Sequence, residues 1–378
     1  MNVFLKSVKS KSISTLLAAA AICMTPLAQA VEISPYFTYW GLGKVNSLTD
    51  AKRIMGMNNA TYAFVVSNGS CNLDRDFGAA STNLKSFVNS GGNLIIAFGG
   101  AQGPYLEESC KWDEENLFYL MEKVLLDTGA RRIEFDIEGD HIWDNEAHSA
   151  RNNVVKRLQD RYTNLAVSFA LPGWRNGLDS KYLTLLRNVL NAGIRISQID
   201  VMAQSFGTNE GGLGALTIET MQSSAKQLAP IFGKTIDQVY GLMGVCPMIG
   251  KNDDGYFFTL NDAQKVGAFA KATGLSRISY WYFQRDQAQN YNGMMPINSY
   301  SSLIQSDFQF YNTFNSSANG NTSSPGNCNY PNWATGAAYQ VGSVVKYSPN
   351  GRLYRARVAN PGYNPTVSTY FWDSFTCQ

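Results

Sequence analysis

Three acidic side chains alternate with three apolar ones in residues 131–140, RRIEFDIEGD: Glu134, Asp136 and Glu138 fall between Ile133, Phe135 and Ile137. A period of two is that of a β-strand, whose successive side chains point to opposite faces. The carboxylates therefore share one face, spaced ~6–7 Å apart along the strand. On a solvated edge strand such a face is ordinary. On a strand buried on both sides, as in a parallel sheet, it is unfavourable unless the carboxylates pair or share protons. Acid–base chemistry is the purpose such a cluster serves. Gly139 lets the chain turn away directly behind Glu138. The chain has only two histidines, His141 and His148, which leaves little room for a Ser–His–Asp triad or a His-rich metal site. The chemistry falls to the carboxylates, and the sequence calls for no metal and no other cofactor.

Positioning those groups takes a regular scaffold. Short apolar runs at 35–40, 61–66, 93–98, 132–138, 165–170, 198–204, 238–243 and 277–283 read as strands. Helical patterns lie between them. Asp113 caps a run with Leu117, Leu120, Met121, Val124 and Leu125, closed by Gly129. Ser180 opens another, with Leu183, Leu186 and Leu190, ended by Gly193. Thr259 and Asp262 form a capping box before Val266, Phe269 and Ala270, ended by Gly274. Eight strand–helix units point to an α/β fold, a (β/α)8 TIM barrel over residues 31–314. A doubly wound sheet is the alternative, but it gives no reason for an eight-fold count.

In such a barrel the active site lies at the C-terminal ends of the strands. Those ends carry Gly99 and Gly100 in AFGGAQG, Glu138, Met202 and Gln204 in MAQSFG, and Trp281 in SYWYFQRD. The glycines would let a ligand approach the backbone. Trp281 on its own would be core packing, but here it shares a rim with three carboxylates and a glutamine.

The 378 residues carry a formal net charge of +2 and are 44% hydrophobic, with no basic block to suggest a nucleic-acid partner. Residues 1–30 read as a secretory signal: Lys6, Lys9 and Lys11, an apolar stretch too short to span a bilayer, then Ala28-Gln29-Ala30. The expected product is a secreted monomer, extracellular or periplasmic, with no membrane span. Five cysteines then remain. Cys328 and Cys377 bracket the C-terminal segment and form the favoured pair, Cys71 with Cys110 is a further candidate, and Cys246 is left over as a buried thiol. Connectivity stays open at this level. Residues 315–327, NSSANGNTSSPGN, read as a flexible linker. Residues 328–378 form a small aromatic-rich β-module with a hairpin at Asn350-Gly351.

With these features assembled, the barrel segment resembles glycoside hydrolase family 18, the chitinases and their relatives. The family's Asp-x-x-Asp-x-Asp-x-Glu motif aligns with Arg131-x-x-Glu134-x-Asp136-x-Glu138. The paired glycines, Met202-x-Gln204, the Trp281 strand and the loop CPMIGKNDDGYFFTLNDAQ at 246–264 fit as well. The resemblance implies substrate-assisted, retaining hydrolysis of β-1,4-linked N-acetylglucosamine, in which the substrate's N-acetyl oxygen is the nucleophile. It gives Glu138 the acid/base role and Asp136 the acetamido group. Glu134 would share a proton with Asp136, and Trp281 would form the floor under the reacting sugar. Arg131, Glu134 and Phe206 depart from the pattern, the last standing where many members carry a substrate-binding tyrosine. The C-terminal segment resembles chitin-binding modules of carbohydrate-binding families 5 and 12, with Tyr354, Tyr363, Tyr370 and Trp372 as stacking candidates. Val358 and Ala359 stand where those modules often show two exposed tryptophans. Chitin or another N-acetylglucosamine oligosaccharide is the implied partner. The alternatives are an endo-β-N-acetylglucosaminidase acting on glycoprotein glycans and a non-catalytic glycan-binding barrel.

Overall fold

The computed structural model describes residues 30–40, 43–288, 299–320, 330–339, 343–367 and 370–375. Its central feature is a ring of parallel strands. β1 comprises Glu32–Ile33 and Tyr36–Thr38, separated by Ser34-Pro35. β2 is Asn59–Val65, β3 Asn93–Gly99, β4 Arg132–Asp136 and β5 Ala166–Trp174. β6 is Ile196–Met202, β7 Met243–Cys246 and β8 Arg277–Ile278. Each pairs in parallel with the next. The first piece of β1 pairs with β8 and the second with β2, so the pairing returns to its start.

Parallel strands need crossovers, and helices supply them. α1 (Leu48–Met55), α2 (Arg75–Asn89), α3 (Leu106–Cys110), α4 (Glu114–Thr128) and α5 (Asn145–Arg161) serve the first half. α6 (Ser180–Asn191), α7 (Leu213–Ile231), α8 (Ile236–Tyr240), α9 (Leu260–Thr273) and α10 (Gln309–Asn319) serve the second. Asp113 caps α4, and the Thr259–Asp262 box caps α9, as their spacing implies. Outward residues such as Ile133, Phe135 and Ile137 join one large core between strands and helices. A separate inner cluster fills the barrel with Tyr36, Ala63, Ala97, Ala170, Met202, Cys246 and Tyr282. Among the described residues no helix is long and apolar enough to cross a membrane. Cys71 is bonded to Cys110, and Cys246 is a free, buried thiol.

Several expected boundaries move. Residues 238–243 are not a strand: Thr235 and Gln238 form a reciprocal cap that starts α8, and the barrel strand follows at Met243. The fourth strand's ladder ends at Asp136, two residues short of Glu138. β8 ends at Ile278, and the backbone of Trp281 joins the barrel through an isolated bridge to Met248. The polar run from 315 begins inside α10, which reaches Asn319. Phe310, Tyr311, Phe314 and Ala318 bury one face of that helix. The Asn319 amide bonds both the N–H and the C=O of Val31, at 2.7 and 3.0 Å. α9 meets α10 closely because Gly267 has no side chain; a Cβ there would lie 1.8 Å from Ser317 Oγ.

The C-terminal segment holds an antiparallel sheet of β9 (Val344–Tyr347), β10 (Arg352–Ala356) and β11 (Trp372–Phe375). Its hairpin turns at Asn350-Gly351, and its small core gathers Val345, Tyr354, Ala356 and Trp372. The expected signal segment up to residue 29, the rest of the expected linker, Cys328 and Cys377 lie outside the described residues.

Candidate active site

Strand alternation places Glu134 and Asp136 inside the barrel, both buried, with Glu138 half-buried at its mouth. The inside of a parallel barrel offers few donors, so each acid depends on what neighbouring strands present. Glu134 has a partner on each oxygen. It accepts from the Tyr36 hydroxyl at 2.8 Å and the Ser168 hydroxyl at 2.8 Å, and its Oε2 also pairs with the Arg277 guanidinium. Arg277 pairs in addition with Asp200 at 2.9 Å, and Ser279 donates to the same Asp200 oxygen. The expected bond from Glu134 to Asp136 is therefore replaced by one to Arg277, because the guanidinium and two hydroxyls already occupy its oxygens.

Asp136 bonds Glu138 instead. Burial pushes the Asp136 carboxyl well above the usual range, and the charges of Glu138 and Glu134 push it further. Burial raises Glu138 as well, while the bond from Asp136 lowers it. These directions favour a proton held on Asp136 and turned toward Glu138.

The backbone that aims Glu138 is clamped from β3. The Tyr105 hydroxyl lies 2.9 Å from the carbonyls of both Gly100 and Asp136, and the Glu138 N–H donates to it at 3.0 Å. The Gly100 N–H donates to the Asp136 carbonyl at 3.0 Å. A Cβ on Gly99 would fall 2.2 Å from that carbonyl, and one on Gly100 would fall 2.6 Å from the Phe64 ring. These glycines admit a neighbouring strand and an aromatic ring, where the sequence suggested that they admit ligand. The Tyr105 ring stacks on His141 at 3.8 Å, and His141 Nδ1 lies 2.7 Å from Glu108.

Aromatic rings border the mouth. Trp281 stacks on Phe64 at 5.7 Å and meets Tyr36 edge-on at 5.8 Å, in the same cluster as Met202. Beyond Phe64 lies Trp40, 46% exposed. The loop at 246–264 reaches across. Buried Asn252 accepts from the Ser205 N–H and donates to the Met248 and Gly250 carbonyls, and Asp254 accepts from the Gly207 N–H. Gln204 is half-buried, with its Oε1 unpartnered. Phe206 packs against the helix-side core, away from the Trp281 cluster.

Sequence reasoning groups Glu134, Asp136, Glu138, Trp281 and Met202, and in the structure Tyr36 bonds Glu134 and packs in one cluster with Met202 and Trp281. It missed Tyr36, Tyr105, Ser168, Asp200 and Arg277. Asp200 and Arg277 each lie within an expected strand, and a charge inside an apolar run was the available signal. In the C-terminal sheet, Tyr354 and Trp372 are buried, and the Trp372 indole donates to the Tyr363 carbonyl at 2.7 Å. Neither can offer a free ring face. Tyr363 and Tyr370 are exposed by 49% and 67%.

Comparison with known proteins agrees with this architecture. No family model matches the chain. It is similar to a probable bifunctional chitinase/lysozyme of Escherichia coli strain K12, 26% identical over 278 residues, covering 67% of this chain and 30% of the relative. It is also similar to endochitinase 11 of Metarhizium anisopliae, 26% identical over 267 residues, covering 64% of this chain and 51% of the relative. The chain therefore spans a third to a half of the length of these curated relatives. The catalytic domain of a hyperthermophilic chitinase from Pyrococcus furiosus superimposes with a TM-score of 0.66 at 24% identity, covering 78% of this chain and 97% of that domain. Catalytic-site mutants of active domain 2 from the same organism's chitinase, complexed with chito-oligosaccharides, give 0.64 at 23% identity, over 76% and 94% of the two chains. Fold and site define an α/β barrel with a paired-carboxylate centre. In fold and in sequence relatives the chain is chitinase-like.

Proposed function

We propose that this chain is a secreted, family 18-type chitinase that hydrolyses β-1,4 linkages between N-acetylglucosamine units with retention. The observation that carries the reading is the placement of Glu138 at the barrel mouth beside buried Asp136, beneath an aromatic rim. Glu138 stands at the opening, able to take a proton from Asp136, pass it to a leaving oxygen and then, as a carboxylate, activate water. Asp136 cannot ionise easily where it is, so it serves as a donor first and stabilises positive charge once Glu138 has given up its proton. Such a centre needs no protein nucleophile if the substrate's own acetamido oxygen attacks. Trp281, backed by Phe64 and Tyr36, offers a ring face for the apolar side of a pyranose. The chitinase names of the sequence relatives support the same substrate class.

The C-terminal sheet is proposed as an accessory chitin-binding unit, with Tyr363 and Tyr370 as its contact residues. Glu138→Gln keeps the shape and removes the transferable proton. Turnover of a soluble chito-oligosaccharide should fall at least ~10²–10⁴-fold with binding retained. Near-normal turnover in that variant would refute the assignment. Release of sugars from a high-mannose glycoprotein, with colloidal chitin left intact, would move the substrate to glycoprotein glycans.

A further inference from the structure

We propose that Arg277 is a positioning residue of this site: it holds the negative charges of Glu134 and Asp200 inside the barrel and so leaves Asp136 one proton partner, Glu138. The inference rests on the acid–base role proposed above for that pair.

The geometry is one of saturation. Arg277 is fully buried and touches both carboxylates through Nη2, while its Nε and Nη1 have no partner. Among the described residues nothing else anchors the guanidinium, so the two acids are what fix it. Guanidinium is a donor that stays charged. Asp200 and Glu134 beside it outweigh burial and hold it protonated. Glu134 in turn takes three donors, from Tyr36, Ser168 and Arg277. With Tyr36 on one oxygen and Ser168 and Arg277 on the other, Glu134 is turned to these partners and away from Asp136. Room for the assembly comes from Gly244, where a Cβ would fall 2.4 Å from Asp200 Oδ1 and 3.3 Å from the Arg277 Cβ.

Other groups face the pair. Tyr36 from β1 and Cys246 from β7 are pushed well above their ordinary values by burial first, and stay neutral. Burial likewise raises Tyr105 and Tyr182, leaving both uncharged. From the loops, His141 and Asp253 act on Glu138 with opposite sign. The ionisable groups on the interior side are then Glu134, Asp200 and Arg277; burial raises Asp200 to about 6 against the pull of Arg277, so it carries its charge above that pH. A purely structural ion pair is the competing reading, since buried pairs often add little stability.

Charge removal separates the two. Glu134→Gln leaves Arg277 facing Asp200 alone, so the Asp136–Glu138 pair should lose its last proton at lower pH. The alkaline limb of kcat/KM on a soluble chito-oligosaccharide should move down, by ~1 pH unit or more. Adding Arg277→Gln to Glu134→Gln should move it back up, while adding Arg277→Lys should leave it low. Arg277→Met serves in place of Arg277→Gln should that variant fail to fold, with circular dichroism as the check. Carboxyl ¹³C NMR titration of the same proteins reads the pair without turnover. If the wild-type chain cuts no N-acetylglucosamine oligomer, the proposed activity fails while the titration still decides Arg277. A limb and titration that stay where Glu134→Gln put them after the charge at 277 is removed would overturn the inference.

Discussion

His148 is a histidine that the fold holds neutral. It is 9% exposed on α5, its Nδ1 accepts from Arg151 at 3.0 Å, and its Nε2 donates to the Ile142 carbonyl at 3.2 Å. Burial first, then the Arg151 charge, lowers its pKa from 6.5 to about 3. The unfolded chain therefore binds a proton here before the folded chain does. Its contribution is complete above about pH 6.5 and is lost as the pH falls toward 3. His148→Gln, which keeps a donor and an acceptor, should melt below wild type at pH 7, with the gap narrowing or reversing at pH 4.5. A gap that holds constant across that range would show that His148 is not the titrating group. In the sequence this residue was only one of two histidines; its role depends on Arg151, three residues along the same helix, and on how deeply both are covered.

At the scale of elements, β3 and β4 meet along Gly99, whose φ is +99° and whose missing Cβ makes room for the Asp136 carbonyl. Gly99→Ala must strain its own backbone and push β4 aside, a cost of ~1–3 kcal/mol. Because the displaced carbonyl belongs to Asp136 and bonds Gly100 and Tyr105, the loss should exceed stability alone. The expected result is a lower melting temperature together with a fall in kcat of ~10-fold or more. A destabilised variant with full kcat would show that the close approach serves packing only. Asn252 works between elements in the same way, joining the loops after β6 and β7 through one buried amide. The strand pattern showed both loops without showing that a side chain ties them.

Across the whole molecule, α10 closes the barrel unit through Asn319 and Val31, so the unit ends near Gly320. A chain stopped after Gly320 should keep its helical signal and its turnover of soluble chito-oligosaccharides. A chain stopped after Phe314 would lose the last turn of α10 and the Asn319 clamp, and should melt lower. If the C-terminal sheet tethers the enzyme to solid substrate, removing it lowers hydrolysis of insoluble chitin selectively, by reducing effective concentration. The effect should be modest, since the two exposed rings, Tyr363 and Tyr370, are tyrosines. Equal losses on both substrates would assign the sheet a structural role.

The local pattern of the chain was enough to establish the strand alternation at 133–138, the helix caps at Asp113 and Thr259, the hairpin at Asn350-Gly351 and the candidacy of Glu138. Each depends on periods of two to four residues, and such short-range geometry survives in the linear order. Tertiary structure decided which acid shares a proton with which. Glu134 and Asp136 look equivalent along the strand, yet Arg277, 143 residues away, claims the first and leaves the second to Glu138. It decided the same for Gly99 and Phe206, whose neighbours come from other strands and helices. Protonation and packing are set by distances of a few ångströms through space, and the barrel fixes those distances by closing β8 against β1.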